Sequence, residues 1–131
     1  MSESRYNKHD LSKLKGRIGI ISPYKSQVRQ IRGAIARIRH KIGMGGEGDI
    51  EVNTVDAYQG REKDIIIIST VRTNSLGFLR DYRRMNVAIT RAKHFMFIVG
   101  NQKCLKKDEN WNALINNGCK KSYTFNENPF A

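Results

Sequence analysis

Two polar clusters, each leading into an apolar run, hold the residue types best suited to chemistry in this 131-residue chain. The first is Val55-Asp56-Ala57-Tyr58-Gln59-Gly60-Arg61-Glu62-Lys63-Asp64, ahead of Ile65-Ile66-Ile67-Ile68. The second is Arg83-Arg84-Met85-Asn86-Val87-Ala88-Ile89-Thr90-Arg91-Ala92-Lys93, ahead of Phe95-Met96-Phe97-Ile98-Val99-Gly100. Arg91 follows Arg84 by seven positions, so on a helix the two share a face. An arginine presented from a rigid helix can reach a transferring phosphoryl group and stabilise its charge. The other reading is a solvated surface arginine. In the first cluster Gly60 permits a positive φ or close backbone approach to a ligand. Gln59 and Glu62 could accept hydrogen bonds from ribose hydroxyls or orient a ligand. Asp56, Glu62 and Asp64 admit an acid/base or metal reading, but the cations between them make charge balancing the simpler account. Tyr58 could stack on a base; beside a buried strand, packing is the more ordinary role.

These clusters need elements to position them. The two apolar runs read as strands covered on both faces, as in a parallel sheet, and ligands in such folds bind among the loops at strand ends. Residues 17–21 predict a first strand. Ser22 then reads as an N-cap and Pro23 as the first helical residue. Val28, Ile31, Ile35, Ile38 and Ile42 form one apolar helical face. Arg29, Arg32, Arg37, Arg39 and Lys41 make the same helix strongly basic. Residues 51–55 and 65–71 predict two more strands, and Asn74-Ser75-Leu76-Gly77 a turn. A helix is expected over residues 80–93, with Met85, Ala88, Ile89 and Ala92 toward the core, and a fourth strand over 95–100. Trp111, Leu114 and Ile115 mark one or two amphipathic helices near the end. Strands alternating with helices imply α/β layers around a mostly parallel sheet. The expected division is a polar lead-in at 1–15, one domain at 16–118 and a tail at 119–131.

Composition narrows the function. A net charge of +12 and a pI near 10.1 favour a polyanionic partner, most simply nucleic acid, with RNA and DNA both open. The apolar runs are too short to span a membrane, and the N-terminus lacks the apolar core of a secretory signal. Cys104 and Cys119 form no CxxC pair and read as reduced intracellular thiols. His9, His40 and His94 have no ligand spacing, so no metal site is expected. Gly43-Met44-Gly45-Gly46-Glu47-Gly48 matches GxGxxG, but a helix precedes it and a strand follows, the reverse of a dinucleotide fingerprint. No GxxxxGK[ST] occurs in the chain to cradle phosphates, and no acidic residue ends an apolar strand to hold magnesium. A nucleotide served by this domain would be bound mainly elsewhere.

Three segments in order resemble superfamily 1 helicases of the senataxin and nonsense-decay helicase group. Ile18-Gly19-Ile20-Ile21-Ser22-Pro23-Tyr24-Lys25-Ser26-Gln27 resembles their motif IV region, Val55 to Asp64 their motif V, and Gly77-Phe78-Leu79 with Arg83 to Lys93 their motif VI. The resemblance implies the second, C-terminal RecA-like domain of a two-domain ATP-dependent helicase, an α/β three-layer fold with a mostly parallel sheet. It implies ATP and Mg2+ held mainly by a first RecA-like domain, which is the expected partner, and single-stranded RNA or DNA running across both. By that likeness Arg91 is the arginine finger and Glu62 meets the ribose. Gln59 and Gly60 couple the two sites, and Thr54, Tyr24 and Lys25 face the nucleic acid. Arg84 is a weaker candidate in the same helix, with a structural role as the alternative. The phosphate-loop domain and the YRMHP-type segment that opens the second domain do not occur in these residues, so a fragment or truncated product, inactive alone, is expected. The likeness also suggests a monomer without membrane association, nuclear or alternatively cytoplasmic. The rival reading is a non-catalytic basic module that binds nucleic acid or protein.

Overall fold

A computed structural model describes residues 16–41, 50–70 and 81–118. The lead-in, Ile42, the glycine-rich stretch, the turn at 74–77, the Gly77-Phe78-Leu79 approach, Cys119 and the tail lie outside the described residues. Among the described residues four strands form one parallel sheet: β1 (Ile18–Ser22), β2 (Ile50–Thr54), β3 (Lys63–Ser69) and β4 (Ala92–Val99), in the order β2-β1-β3-β4. The expected strands are present, each shifted by one to three residues.

The chain leaves β1 in one direction along the sheet and β3 in the other. Since parallel crossovers are right-handed, helix α1 (Lys25–Lys41) and helix α2 (Tyr82–Ile89) fall on opposite faces. α1 packs against β1 and β2. Ala88 of α2 joins Ile21, Ile66 and Ile68 in the core on the other side. Two further helices, α3 (Gln102–Leu105) and α4 (Glu109–Gly118), bury Cys104, Leu105 and Trp111 with Met85 in an adjoining cluster. The architecture is three-layered α/β.

The helix after β1 begins at Lys25 rather than Pro23. Ser22 lies in the strand, and its Oγ accepts from Tyr24 N–H at 3.4 Å, while the carbonyl of Tyr24 takes the bond from Val28 at 3.1 Å. Of the apolar stripe on α1, Val28 is buried, Ile31 and Ile35 are half-buried, and Ile38 is exposed.

The expected helix over 80–93 is corrected more substantially. Asp81 caps α2 by accepting from Arg83 N–H at 3.0 Å. The helix ends at Ile89, where the Thr90 hydroxyl bonds back to the carbonyls of Asn86 at 2.8 Å and Val87 at 3.1 Å. That local bond competes with helix continuation. The carbonyl of Arg91 then accepts from Lys63 N–H at 3.1 Å, which aligns the chain with β3. Arg91 therefore sits in a connection, not on a helical face shared with Arg84.

Between β2 and β3 the chain crosses over β1 using only residues 55–62, including a 3₁₀ turn at Asp56–Tyr58. Most parallel crossovers need a dozen or more residues and a helix. This one is possible because Tyr58 lies directly over Gly19, where a Cβ would come within 2.5 Å of its hydroxyl oxygen. The hydroxyl donates to the Glu51 carbonyl at 2.6 Å. Tyr58 is thus a packing residue, fully buried, and burial, reinforced by Glu51 and opposed by Arg61, holds its phenol above the ordinary range.

β4 also departs from the expected pattern. It lies at the sheet edge, and Phe95, Phe97 and Val99 are 62%, 55% and 59% exposed. The apolar run does not mark a strand covered on both faces, because the right-handed route from β3 brings α2 to only one of them.

Candidate functional site

The crossover separates the candidate residues into two groups at opposite ends of the sheet. At the N-terminal end, the segment Gln59-Gly60-Arg61-Glu62 leads into β3 while Arg91 leads into β4. The structure brings them together: Arg91 Nη1 donates to the Arg61 carbonyl at 3.4 Å. Its Nε donates to the Val87 carbonyl at 3.0 Å and its Nη2 to Thr90 Oγ1 at 3.1 Å. The guanidinium thus rests on the C-terminal end of α2, where helix carbonyls lack intrahelical partners. Gln59 and Glu62 are exposed, and among the described residues the Glu62 carboxylate has no partner. Gly60 has φ +77°, and nothing lies within 4 Å of a Cβ placed there. Its requirement is one of backbone conformation, not of space.

The neighbouring charges balance one another. Glu51 pairs with Arg61 and, at 3.4 Å, with Lys63. Asp64 accepts from Arg17 Nε at 2.6 Å, and that hydrogen bond draws its carboxyl below the usual carboxylate range. Asp56 meets Arg84 Nε at 3.4 Å, tying the 3₁₀ turn to the first turn of α2. Asp56, Glu62 and Asp64 make no common cluster, and no three His, Cys, Asp or Glu side chains converge among the described residues.

At the C-terminal end, Thr54 closes β2 beside Ser22 of β1. Tyr24 and Lys25 follow Ser22 around the turn into α1, with Tyr24 half-buried and Lys25 exposed. Thr54 Oγ1 accepts from Ala57 N–H at 3.4 Å and so supports the start of the 3₁₀ turn. Two residues to which the sequence pattern assigns no role complete this end. Gln27 Oε1 accepts from the Ser22 hydroxyl at 3.0 Å, and Gln27 Nε2 donates to Ser69 Oγ at 3.1 Å. A polar residue in the first turn of an apolar-faced helix, and a serine that ends an isoleucine run, are the trace of this link in the sequence.

From Lys25 the outer side of α1 carries the exposed cations Arg29, Arg37 and Lys41, none paired with a carboxylate among the described residues. Arg32, also exposed, is bonded to the sheet instead: its Nε and Nη2 donate to the Val52 carbonyl of edge strand β2 at 3.1 and 2.7 Å. Such an unpaired basic side is suited to a polyanion held through its phosphates.

A family model described as an AAA domain matches residues 3–103. Helicase sen1 of Schizosaccharomyces pombe is 43% identical over 118 residues, covering 88% of this chain and 7% of that protein. An uncharacterized ATP-dependent helicase of Methanocaldococcus jannaschii is 49% identical over 105 residues, covering 80% of this chain and 15% of that protein. Regulator of nonsense transcripts 1 of Dictyostelium discoideum is 48% identical over 109 residues, covering 81% and 8%. This chain therefore spans a small part of each relative. Among solved structures, the PRRSV nsp10 helicase aligns over 69% of this chain and 16% of its own, with 22% identity and a TM-score of 0.42.

Proposed function

The chain belongs to the AAA-domain family, in the senataxin and nonsense-decay helicase group, and from that premise we propose that it forms the second RecA-like domain of an ATP-dependent helicase. In this reading the N-terminal end of the sheet faces ATP bound mainly by a first RecA-like domain, and the C-terminal end faces single-stranded RNA or DNA. The observation that carries it is the convergence of Arg91 with the Gln59 to Glu62 segment, residues far apart in sequence, at one end of the sheet.

Glu62 is an exposed carboxylate able to accept from both ribose hydroxyls, and Gln59 is an exposed amide beside it. The Arg91 guanidinium would leave its carbonyl partners to meet the γ-phosphate, where charge develops during phosphoryl transfer. Bound Mg2+ would neutralise the phosphate oxygens, and its ligands would come from the other domain. Tyr24, Lys25 and Thr54 would line the nucleic-acid side, with the cations of α1 adding sequence-independent attraction.

The test joins this chain to a domain carrying a phosphate loop and measures hydrolysis with and without oligouridine. The chain alone should not hydrolyse ATP, and the joined protein should do so in an Arg91-dependent manner. Robust hydrolysis by the chain alone would sink the half-site reading. Strand binding without any hydrolysis in the joined protein would favour a non-catalytic binding module.

A further inference from the structure

Three hydrogen bonds run in series across the C-terminal end of the sheet. Tyr24 N–H donates to Ser22 Oγ at 3.4 Å, the Ser22 hydroxyl donates to Gln27 Oε1 at 3.0 Å, and Gln27 Nε2 donates to Ser69 Oγ at 3.1 Å. Ser22 is fully buried, and Gln27 and Ser69 are half-buried. No buried side-chain polar atom among the described residues lacks a partner. The series links three elements: the end of β1, the first turn of α1 and the end of β3.

Packing alone does not call for a glutamine at this position. An apolar side chain of similar size would cover the strand ends as well, but it would leave the buried Ser22 hydroxyl without its acceptor. What the amide adds is direction. One end accepts and the other donates, so a single side chain fixes the turn relative to two neighbouring strands. Bonds in such a series also polarise one another and strengthen the whole.

We propose that Gln27 is a positioning residue that fastens the Tyr24–Lys25 turn to the end of β3. The turn then follows the strand whose other end begins at Gln59–Glu62. β3 has seven residues, which at ~3.3 Å per residue makes a rod of roughly 20 Å between the two ends. Through Lys63 N–H and the Arg91 carbonyl, the start of the rod is bonded to the Arg91 connection. Through Ser69 and Gln27, its end is bonded to the turn that faces nucleic acid. This inference rests on the proposed groove at that turn and names the residue that holds the groove in register.

The experiment uses the full chain, fluorescein-labelled oligouridine and anisotropy at low salt, with melting temperature recorded for every variant. Lys25→Ala and Tyr24→Ala report on the groove. Gln27→Leu and Ser69→Ala break the series from its middle and from its far end. Each of these two should weaken binding about two- to tenfold, as expected for loss of one or two hydrogen bonds. Ser69→Thr, which keeps the hydroxyl, should bind like the unaltered chain. In a Lys25→Ala background the further loss from Gln27→Leu should largely vanish, an interdependence that a merely structural role would not produce. Ser69→Ala removes one oxygen from a strand and keeps the question open to measurement even if Gln27→Leu fails to fold. If Gln27→Leu weakens binding and Ser69→Ala does not, Gln27 is a direct contact and the positioning role is overturned. Full additivity with Lys25→Ala overturns it as well. If Lys25→Ala and Tyr24→Ala weaken binding but the series variants do not, only the role of Gln27 fails. If none of the four changes binding, the groove reading fails and takes this inference with it.

Discussion

At the C-terminal end of the sheet, Ser22, Gln27, Ser69 and Thr54 use their hydrogen-bonding groups on the chain itself. At the N-terminal end, Glu62 and Gln59 are exposed, and Arg91 rests on carbonyls that ask little of it. Under the proposed function, the contrast corresponds to two kinds of site. A surface that tracks a flexible polyanion works best when its shape exists beforehand, because ordering it on binding would cost affinity. A group that acts on a phosphoryl in transit must instead be free to engage when the other half of the site arrives. In the proposed reading the C-terminal end is this chain's share of a strand-binding surface, its shape held by bonds within the chain, and the N-terminal end is one wall of a nucleotide cleft.

The largest expected effect breaks the N-terminal end. In a helicase polypeptide containing this domain, Arg91→Ala should lower kcat on the order of 10³-fold, as loss of an arginine finger does. Nucleotide and strand affinity should change much less, since the contact would be made mainly in the transition state. Arg91→Lys should rescue poorly because an ammonium lacks the planar fork. Lys93→Ala, an exposed cation two residues on, should stay within a few-fold. Steady-state ATPase measurements decide it, and near-normal turnover by Arg91→Ala would remove the finger assignment.

The crossover joins the two ends, so damage there should reach both. A Cβ at Gly19 would sit 2.5 Å from the Tyr58 hydroxyl and 3.0 Å from Ile66 Cδ1 and Lys63 Cγ. Tyr58 is fully buried and cannot swing away. Gly19→Ala should therefore cost about 1–3 kcal/mol in urea unfolding, and oligouridine binding should weaken with it. Gly60→Ala meets no neighbour but must adopt φ +77°, so about 1 kcal/mol is expected, with strand binding at the far end unchanged. Equal losses of binding in the two variants would mean that the ends are not distinct.

How much of this is legible in the sequence depends on the range of the interaction. The isoleucine and phenylalanine runs announce strands because burial of a whole segment leaves a pattern in composition. The mixed helix–strand order announces the parallel sheet. The exposure of Phe95, Phe97 and Val99 is a property of strand order, which no local pattern records. Apolar spacing continues through Ala92, and so by periodicity alone Arg91 falls on a helix. The stop comes from the Thr90 hydroxyl and from the pull of Lys63 on the Arg91 carbonyl, one local and one distant bond. The Gln27–Ser69 bond joins residues 42 positions apart, and neither residue type is unusual where it stands. The resemblance to helicases carries the site residues further than the physics of spacing can. It assigns Arg91 and Glu62 to one site, but not the Gly19 gap that lets the chain bring the two segments to the same end.

The smallest effect sharpens the comparison from the N-terminal side. Arg17 holds the Asp64 carboxyl below its usual range, with desolvation opposing and His94 and Lys93 assisting. A carboxyl whose folded pKa is depressed contributes stability that is fully present above its unfolded value, ordinarily ~3.9. That contribution is lost as pH falls through the lower folded value. The acid limb of stability should therefore steepen below about pH 4 and be flat, as far as this pair is concerned, at neutral pH. Because Arg17 is half-exposed, the gain at neutral pH should be at the low end for ion pairs. Arg17→Ala should return the Asp64 titration, followed by carbon-detected NMR, to the ordinary range and remove that part of the acid limb. The pair lies where β1 and β3 begin, at the opposite end of those strands from Gln27. Arg17→Ala should accordingly leave the effects of Gln27→Leu and Ser69→Ala on oligouridine binding as they were. A change in those effects would mean that the strands carry the disturbance along their length, and that the two ends answer to each other even without nucleotide.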